Sequence, residues 1–263
     1  MHLETIGYAT TAPGAGGAAA AALGGDSLTI KNAAAGSKIY IIAHCADKQA
    51  AGHEQVIHSS GHDTTRGYRI RASASEVRNL LPWGFWEEVQ PQELLAINTV
   101  GSAVAGDVET GLLWVWYENL PGISGHFLTA EEVWGKVLKL LTVQMTLTAV
   151  AGPQWAGAEA LNAESDLLLP NRNYALIGGT CDIECAGIGV RSPDFGNVRV
   201  AIPGHDLAHD MTSSWFTRLS EQTGLACVPV LNSGNRANTL IDCAQDENAT
   251  AVTASLILGL LSE

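Results

Sequence analysis

The chain repeats itself at the scale of a domain. Leu3-Glu-Thr-Ile-Gly-Tyr-Ala9 is answered by Leu141-Thr-Val-Gln-Met-Thr-Leu-Thr-Ala149, and further landmarks recur in the same order. Asp26-Ser-Leu-Thr-Ile30 matches Ser165-Asp-Leu-Leu-Leu169, Lys38–Cys45 matches Asn173–Cys181, and Arg69-Ile-Arg71 matches Arg199-Val-Ala201. Trp83/Trp86 match Trp215/Phe216, Asn98-Thr-Val-Gly101 matches Asn232-Ser-Gly234, and the run from Asp107 to Trp116 matches that from Asp246 to Leu258. Asp26 and Asp166 lie 140 positions apart, Arg69 and Arg199 130 apart, a drift that loop insertions produce when the elements keep their order. Solenoid units have periods of roughly 20–50 residues, so a repeat this long is a domain. The expected organisation is a first domain over 1–122, a connector with a helix over 123–137, and a second domain over 138–263.

Each half, at about 125 residues, is long enough to bury a core without metal or disulfide. Charged residues make up 16% of the chain, against a usual figure of about 25%. With 28 Gly and 7 Trp, that shortage points to a surface partly covered by neighbouring molecules. The formal net charge is −13, from 14 Lys+Arg and 27 Asp+Glu. Binding nucleic acid by its phosphates needs a basic face. Arg66, Arg69 and Arg71 form the one loose basic cluster, which a strand's solvated side explains, so direct genome binding is not expected. Five Cys without zinc-like pairing, and no basic, apolar leader, point to synthesis in a reducing compartment. The Ala/Gly run Gly14–Gly25 is too short and small-residued to span a bilayer and reads as a loop between two strands. No other segment reaches transmembrane length, so the chain is expected to be soluble as synthesised.

Most of the sequence has a period of two. Val143, Met145 and Leu147 alternate with Thr142, Gln144 and Thr146, so one face meets a core and the other is polar. Tyr68 and Ile70 alternate with Arg69 and Arg71, and Val198, Val200 and Ile202 form a similar run. Leu112–Tyr117 and Leu256–Leu261 are almost continuously apolar, as strands buried on both faces would be. Pro229 lacks a ladder donor and points to an edge strand. Gly, Asn, Asp and Pro clusters at Asn32–Ser37, Ser59–Gly67, Ser192–Asn197 and Asn232–Asn238 separate the runs. Short strands divided by such turns spell a β-sandwich.

Helices interrupt this pattern at a few points. Thr129 and Glu132 have capping-box spacing, and Val133, Val137, Leu138 and Leu141 would form the apolar stripe of the helix that follows, with Lys136 and Lys139 near its end. A short helix is expected from Ser73 and must stop before Pro82; a longer one is expected over roughly Ser213–Thr223, closed by Gly224.

A duplicated sandwich of about eight strands per copy, with a helix late in each, resembles the double jelly-roll major capsid proteins of tailless icosahedral viruses. The resemblance covers nearly the whole chain but is architectural, without a signature motif. It implies a mainly β fold of two tandem eight-stranded jelly-roll sandwiches with a few short helices. It also implies a homotrimer whose six rolls form a pseudo-hexagonal capsomer of an icosahedral shell, assembled with other virion proteins after synthesis in the host cytoplasm. Without a basic tail, such a shell would face an internal membrane or another protein layer rather than naked genome.

Chemical constellations are sparse. His205 and His209 have the i, i+4 spacing of a metal-binding helix but lack a third ligand and the Glu of the zinc-protease motif. His53, His58 and His62 read as a solvated hairpin, and Cys181 and Cys185 as buried apolar thiols too far apart on one strand for easy bridging. Asp107/Glu109 and Asp246/Glu247 occupy matching places before the last strand of each half, which suits turn chemistry better than paired catalytic acids. Asn248-Ala-Thr250 is a glycosylation sequon, without meaning unless the chain is secreted. Gly14–Gly17 and Ile177-Gly-Gly-Thr180 have neither the context nor the spacing of phosphate loops. No catalytic residue, cofactor or metal is therefore expected. The aromatics Trp83, Phe85, Trp86, Trp114, Trp116 and Tyr117 suit core packing or a contact surface. Trp114 and Trp116 share one face of their strand, leaving Val115 and Tyr117 on the other. Two other readings follow from these groups: a tandem β-sandwich carbohydrate-binding module with an exposed Trp row, and a metal-dependent β-sandwich hydrolase using His205, His209 and a carboxylate.

Overall fold

The computed structural model describes residues 1–13, 17–46, 53–58, 68–72, 87–100, 105–148, 152–161, 168–181, 185–204, 212–245 and 251–262. The chain is mainly β, with strands in four sheets and two short α-helices among the described residues.

In the first half, β1 (His2–Pro13), β3 (Ala21–Ala22), β4 (Ile39–Ala46), β7 (Glu87–Glu88) and β9 (Ala105–Tyr117) form one sheet, in the order β3-β1-β9-β4-β7. The second sheet, β2-β8-β5-β6, joins β2 (Gly17–Ala19), β5 (His53–His58), β6 (Tyr68–Ala72) and β8 (Ala96–Val100). In the second half, β10 (Phe127–Leu128), β11 (Val137–Leu147), β13 (Asn173–Cys181), β16 (Val228–Asn232) and β18 (Val252–Leu261) are ordered β10-β16-β13-β18-β11. Facing them in sequence are β12 (Gln154–Ala160), β14 (Gly187–Arg191), β15 (Arg199–Pro203) and β17 (Leu240–Gln245), ordered β12-β17-β14-β15. Setting aside β3 and β10, and keeping the two-residue β7, the remaining eight strands of each half pair in one order: 1-8-3-6 in one sheet and 2-7-4-5 in the other. All pairings are antiparallel; β5–β6 and β14–β15 join strands adjacent in the chain, while pairs such as β1–β9, β4–β9, β11–β18 and β13–β18 join strands distant in sequence.

Two apolar cores result. Ile6, Tyr8, Ile39, Ile41, Ile57 and Ile97 pack with Leu113, Val115 and Tyr117 in the first half. The second core gathers Val143, Met145, Leu147, Ile188, Val200, Ile202 and Leu256, and it continues into Leu3, Leu112, Trp114 and Trp116 of the first half. The alternation along β9 explains this split. Leu113, Val115 and Tyr117 face their own sandwich, while Leu112, Trp114 and Trp116 face the other half. The continuous apolar run at Leu112–Tyr117 is thus a strand buried on both faces.

Several local expectations change. The Ala/Gly run is not a plain loop, because Gly17–Ala19 pairs with β8 and Ala21–Ala22 with β1. Side chains this small let the backbone step from one sheet to the other at a corner. Helix α1 (Ala130–Lys136) starts as expected, with Thr129 Oγ1 accepting from the Glu132 amide and Glu132 accepting from the Thr129 amide. It stops at Lys136, since Val137 is extended and pairs with Leu261, so Leu138 and Leu141 belong to β11. β-branched Val137 and the period-two run after it favour the strand. Helix α2 (Trp215–Thr223) ends at left-handed Gly224. β16, with Pro229, is not the outermost strand; the short β10 caps it, pairing Phe127 with Pro229. Asp107 and Glu109 lie within β9 and not in a turn. Asn98 sits in β8, whereas Asn232 ends β16, so those two landmarks are not equivalent; the counterpart of β8 by sheet order is β17. The helix expected from Ser73, with Trp83, Phe85 and Trp86, lies outside the described residues.

Candidate functional site

The outer face of the first half's β1–β9–β4 sheet lies against the second half. β15 is the edge of its sheet, and its outward backbone groups at Ala201 would be left open there. The Thr5 hydroxyl accepts from the Ala201 amide at 2.8 Å, and Trp114 Nε1 donates to the Ala201 carbonyl at 2.8 Å. Trp116 Nε1 donates to the Ala226 carbonyl at 3.3 Å, and the Trp114 and Trp215 rings meet at 4.8 Å between centroids. One half thereby satisfies an exposed strand edge of the other, a usual way of blunting such edges. The approach is close: a Cβ on Gly187 of β14 would come within 2.4 Å of Leu112 Cδ1.

Beside this contact a cleft of about 380 Å³ opens between the halves, lined by Glu4, Asp26, Lys31, Trp155, Arg191, Arg199 and Asp242 among others. Arg199 lies at its centre. Its Nε donates to Asp242 Oδ1 at 3.3 Å and its Nη2 to Asp242 Oδ2 at 3.1 Å, a bidentate fork. Its Nη1 reaches Asp26 of the first half, and its guanidinium lies 4.1 Å from the centroid of the Trp155 ring. Asp26 Oδ2 also accepts from the Gly7 amide and from Trp155 Nε1, each at 2.7 Å. Arg191 Nη2 adds a contact to Asp242 at 3.1 Å. Lys31 pairs with Glu4, which also accepts from the Tyr117 hydroxyl at 3.1 Å. Gly189 makes room for the fork, since a Cβ there would fall 2.1 Å from Asp242 Oδ1. Burial pushes the Asp26 carboxyl above its ordinary value, against the opposing pull of Arg199, the Gly7 amide and Trp155. Burial likewise raises the Tyr117 phenol, with Glu4 adding to the shift.

Among these lining groups three carboxylates face three cations, and each carboxylate is paired with at least one of them. The set joins Asp26, in the loop after β3, to Trp155 and Arg199, 129 and 173 residues further along the chain.

The residues singled out from the sequence are dispersed. His205, His209, His62, Asp246, Glu247 and Asn248 lie outside the described residues. His53 and His58 bound β5. β13 ends at Cys181, so Cys181 and Cys185 do not share one strand; the buried Cys185 thiol donates to the Gly187 carbonyl at 2.8 Å, and all five cysteines are free thiols. Gly178 and Gly179 are interior positions of β13. Among the described residues no group of three or more His, Cys, Asp or Glu is placed to hold a metal. No helix among the described residues is long and apolar enough to cross a membrane. Sequence reasoning missed Asp26, Trp155, Arg199 and Asp242 as a set. The available signal was a lone charge inside an apolar strand, as in Arg199-Val-Ala-Ile and Leu-Ile-Asp242-Cys-Ala, because buried charges need partners. Comparison with models of known protein families and with curated proteins finds no match for the chain.

Proposed function

We propose that this chain is a structural virion protein, a major capsid protein built of two tandem jelly rolls. One observation carries the reading: eight of the nine strands of each half pair 1-8-3-6 and 2-7-4-5, the order in which a jelly roll's two Greek keys lay down their sheets. The inter-half contact supports it, since Trp114, Trp116 and the Arg199 network tie the two sandwiches to one another across a buried face, as a single building unit requires. In this reading three copies form a pseudo-hexagonal capsomer of an icosahedral shell, and function resides in contact surfaces instead of a catalytic centre. No cofactor is invoked. The net charge of −13 argues against direct contact with the genome, leaving other virion proteins or an internal membrane as neighbours. The chain would be made in the host cytoplasm and end in the virion.

Native mass spectrometry and negative-stain imaging of the purified chain test this. Trimers with a six-lobed outline are expected; monomers at every concentration and salt condition would remove the reading. The carbohydrate-binding alternative loses two aromatics of its expected exposed row, since Trp114 and Trp116 are buried between the halves.

A further inference from the structure

Three of the five cysteines gather at one end of the second half. Cys181 ends β13, Cys185 stands just before β14, and Cys243 lies inside β17. On one continuous strand, Cys181 and Cys185 would be about 13 Å apart, well beyond the roughly 4.4–6.8 Å between the Cα atoms of a disulfide. That separation lapses because β13 stops at Cys181. A Cβ on Gly204 would fall 2.8 Å from Cys181 Sγ and 2.3 Å from the Cys185 carbonyl oxygen, so both residues close on the same spot. The Gly204 amide donates to the Ala186 carbonyl at 2.9 Å, which fixes it beside Cys185. Burial raises the Cys185 thiol well above its ordinary value, and Cys181 and then Cys243 add to the rise, as thiols do only from close range.

The two neighbours of Cys185 differ in access. Cys243 is fully buried, its sulfur 3.7 Å from the Ala156 carbonyl oxygen. Cys181 is only partly buried, so a reagent from solution reaches it first. Cys45 is the one cysteine of residues 1–122, so the strand order that the halves share does not account for the gathering. We infer that Cys181 and Cys185 are a redox pair that closes to an intramolecular disulfide on meeting a low-molecular-weight disulfide such as oxidised glutathione. The exchange runs through a mixed disulfide. Cys181 Sγ, as the thiolate, attacks one sulfur of the oxidant, forms a bond to it and releases one glutathione. Cys185 then gives up its proton and attacks Cys181 Sγ, and the second glutathione leaves. The pair loses two electrons and two protons, and one glutathione disulfide becomes two thiols. In the reduced chain the Cys185 thiol donates to the Gly187 carbonyl at 2.8 Å, a bond that closure gives up. The disulfide ties the end of β13 to the start of β14, and so one sheet of the second sandwich to the other. A chain made where glutathione is reduced carries the open pair and closes it on leaving that compartment. The inference goes beyond the capsid reading and does not depend on it.

Trypsin supplies the readout, because Arg172 and Arg191 bracket Cys181 and Cys185 within one peptide, 173–191, while Cys243 falls in 237–263. The native full-length chain, freed of reductant, is incubated with oxidised glutathione. Its remaining thiols are then blocked with N-ethylmaleimide in urea, and its tryptic peptides are weighed by mass spectrometry. Peptide 173–191 is expected to be lighter by two hydrogen atoms, to carry no maleimide, and to regain both thiols with dithiothreitol. Cys45, Cys227 and Cys243 should carry maleimide. In Cys181→Ser, Cys185 should stay a free thiol. In Cys185→Ser, the glutathione adduct on Cys181 should be about tenfold more abundant than in the wild type, because nothing resolves it. Should Cys185→Ser fail to fold, the wild-type map and Cys181→Ser decide the matter. Peptide 173–191 linked to 237–263 would assign the bond to Cys243 and overturn the pairing. So would two maleimides on peptide 173–191 after the incubation, or a lasting glutathione adduct on it in the wild type.

Discussion

Strands 1 and 8 hold the same place in the same sheet order in each half, yet their outer faces have opposite character. In the first half that face carries Leu3, Thr5, Leu112, Trp114 and Trp116, all buried against the second half. In the second half β11 presents Leu140, Thr142, Gln144 and Thr146, all exposed. Pairing order therefore does not decide which faces are covered. Side-chain chemistry does: large apolar groups make burial of the first face favourable, while threonines and a glutamine leave the second stable in water.

The sharpest way to break this comparison is to cut the same face in both halves. Trp114→Ala removes a fully buried ring and its bond to Ala201, and should cost about 4 kcal/mol in urea unfolding. Gln144→Ala, on the matching face of β11, should change stability by less than ~0.5 kcal/mol. Equal costs would mean that the faces do not differ as described.

The ionic part of the contact gives the next effect. Arg199→Met leaves Asp26 without a cation and Asp242 with Arg191 alone, and should cost about 3 kcal/mol, because a buried carboxylate that loses its counter-charge is expensive. Arg191→Met touches the same Asp242 from a more exposed position and should cost less than ~1 kcal/mol by the same measurement.

Buried His2 gives a pH-dependent effect. It lies beside Phe127, and burial, with a contribution from Lys31, pushes its imidazole from 6.5 down to about 4. Between those values the unfolded chain takes up a proton that the folded chain refuses, so stability falls as pH drops from 6.5 towards 4 and is unaffected above 6.5. The full loss is on the order of 3 kcal/mol. Urea midpoints at several pH values should show this slope, and His2→Leu should flatten it. A slope that survives the substitution would place its origin elsewhere.

The smallest effect concerns the connector. Thr129→Ala removes the capping hydroxyl of α1 and should lower stability by about 1 kcal/mol. Thr142→Ala on the open face should be close to neutral, which makes the pair a check on how finely the method resolves such differences.

Much of this was legible in the chain because it rests on short-range periodicity. The alternation of Trp114 and Trp116 with Val115 and Tyr117 foretold two buried faces, and Thr129 with Glu132 foretold a helix start. Where local rules competed, they misled. The stripe Val133, Val137, Leu138 and Leu141 is compatible with a helix, but the ladder to β18 claims Val137–Leu147 as strand. Gly17–Ala22 carries no side-chain signal, yet its backbone finds partners in two sheets. The cleft was the least legible part. Arg199 and Asp242 stand out singly as charges within apolar strands, but their partners, Asp26 and Trp155 among them, are decided once the halves meet.

From its amino-acid order alone the protein is a mainly β chain made of two like halves, because alternation, caps and turn residues act over a few positions and each copy repeats them. Tertiary structure decided the rest. It set Arg199 between Asp26 and Asp242, buried one outer face and left the other open, since those outcomes depend on which surfaces come within a few ångströms after folding.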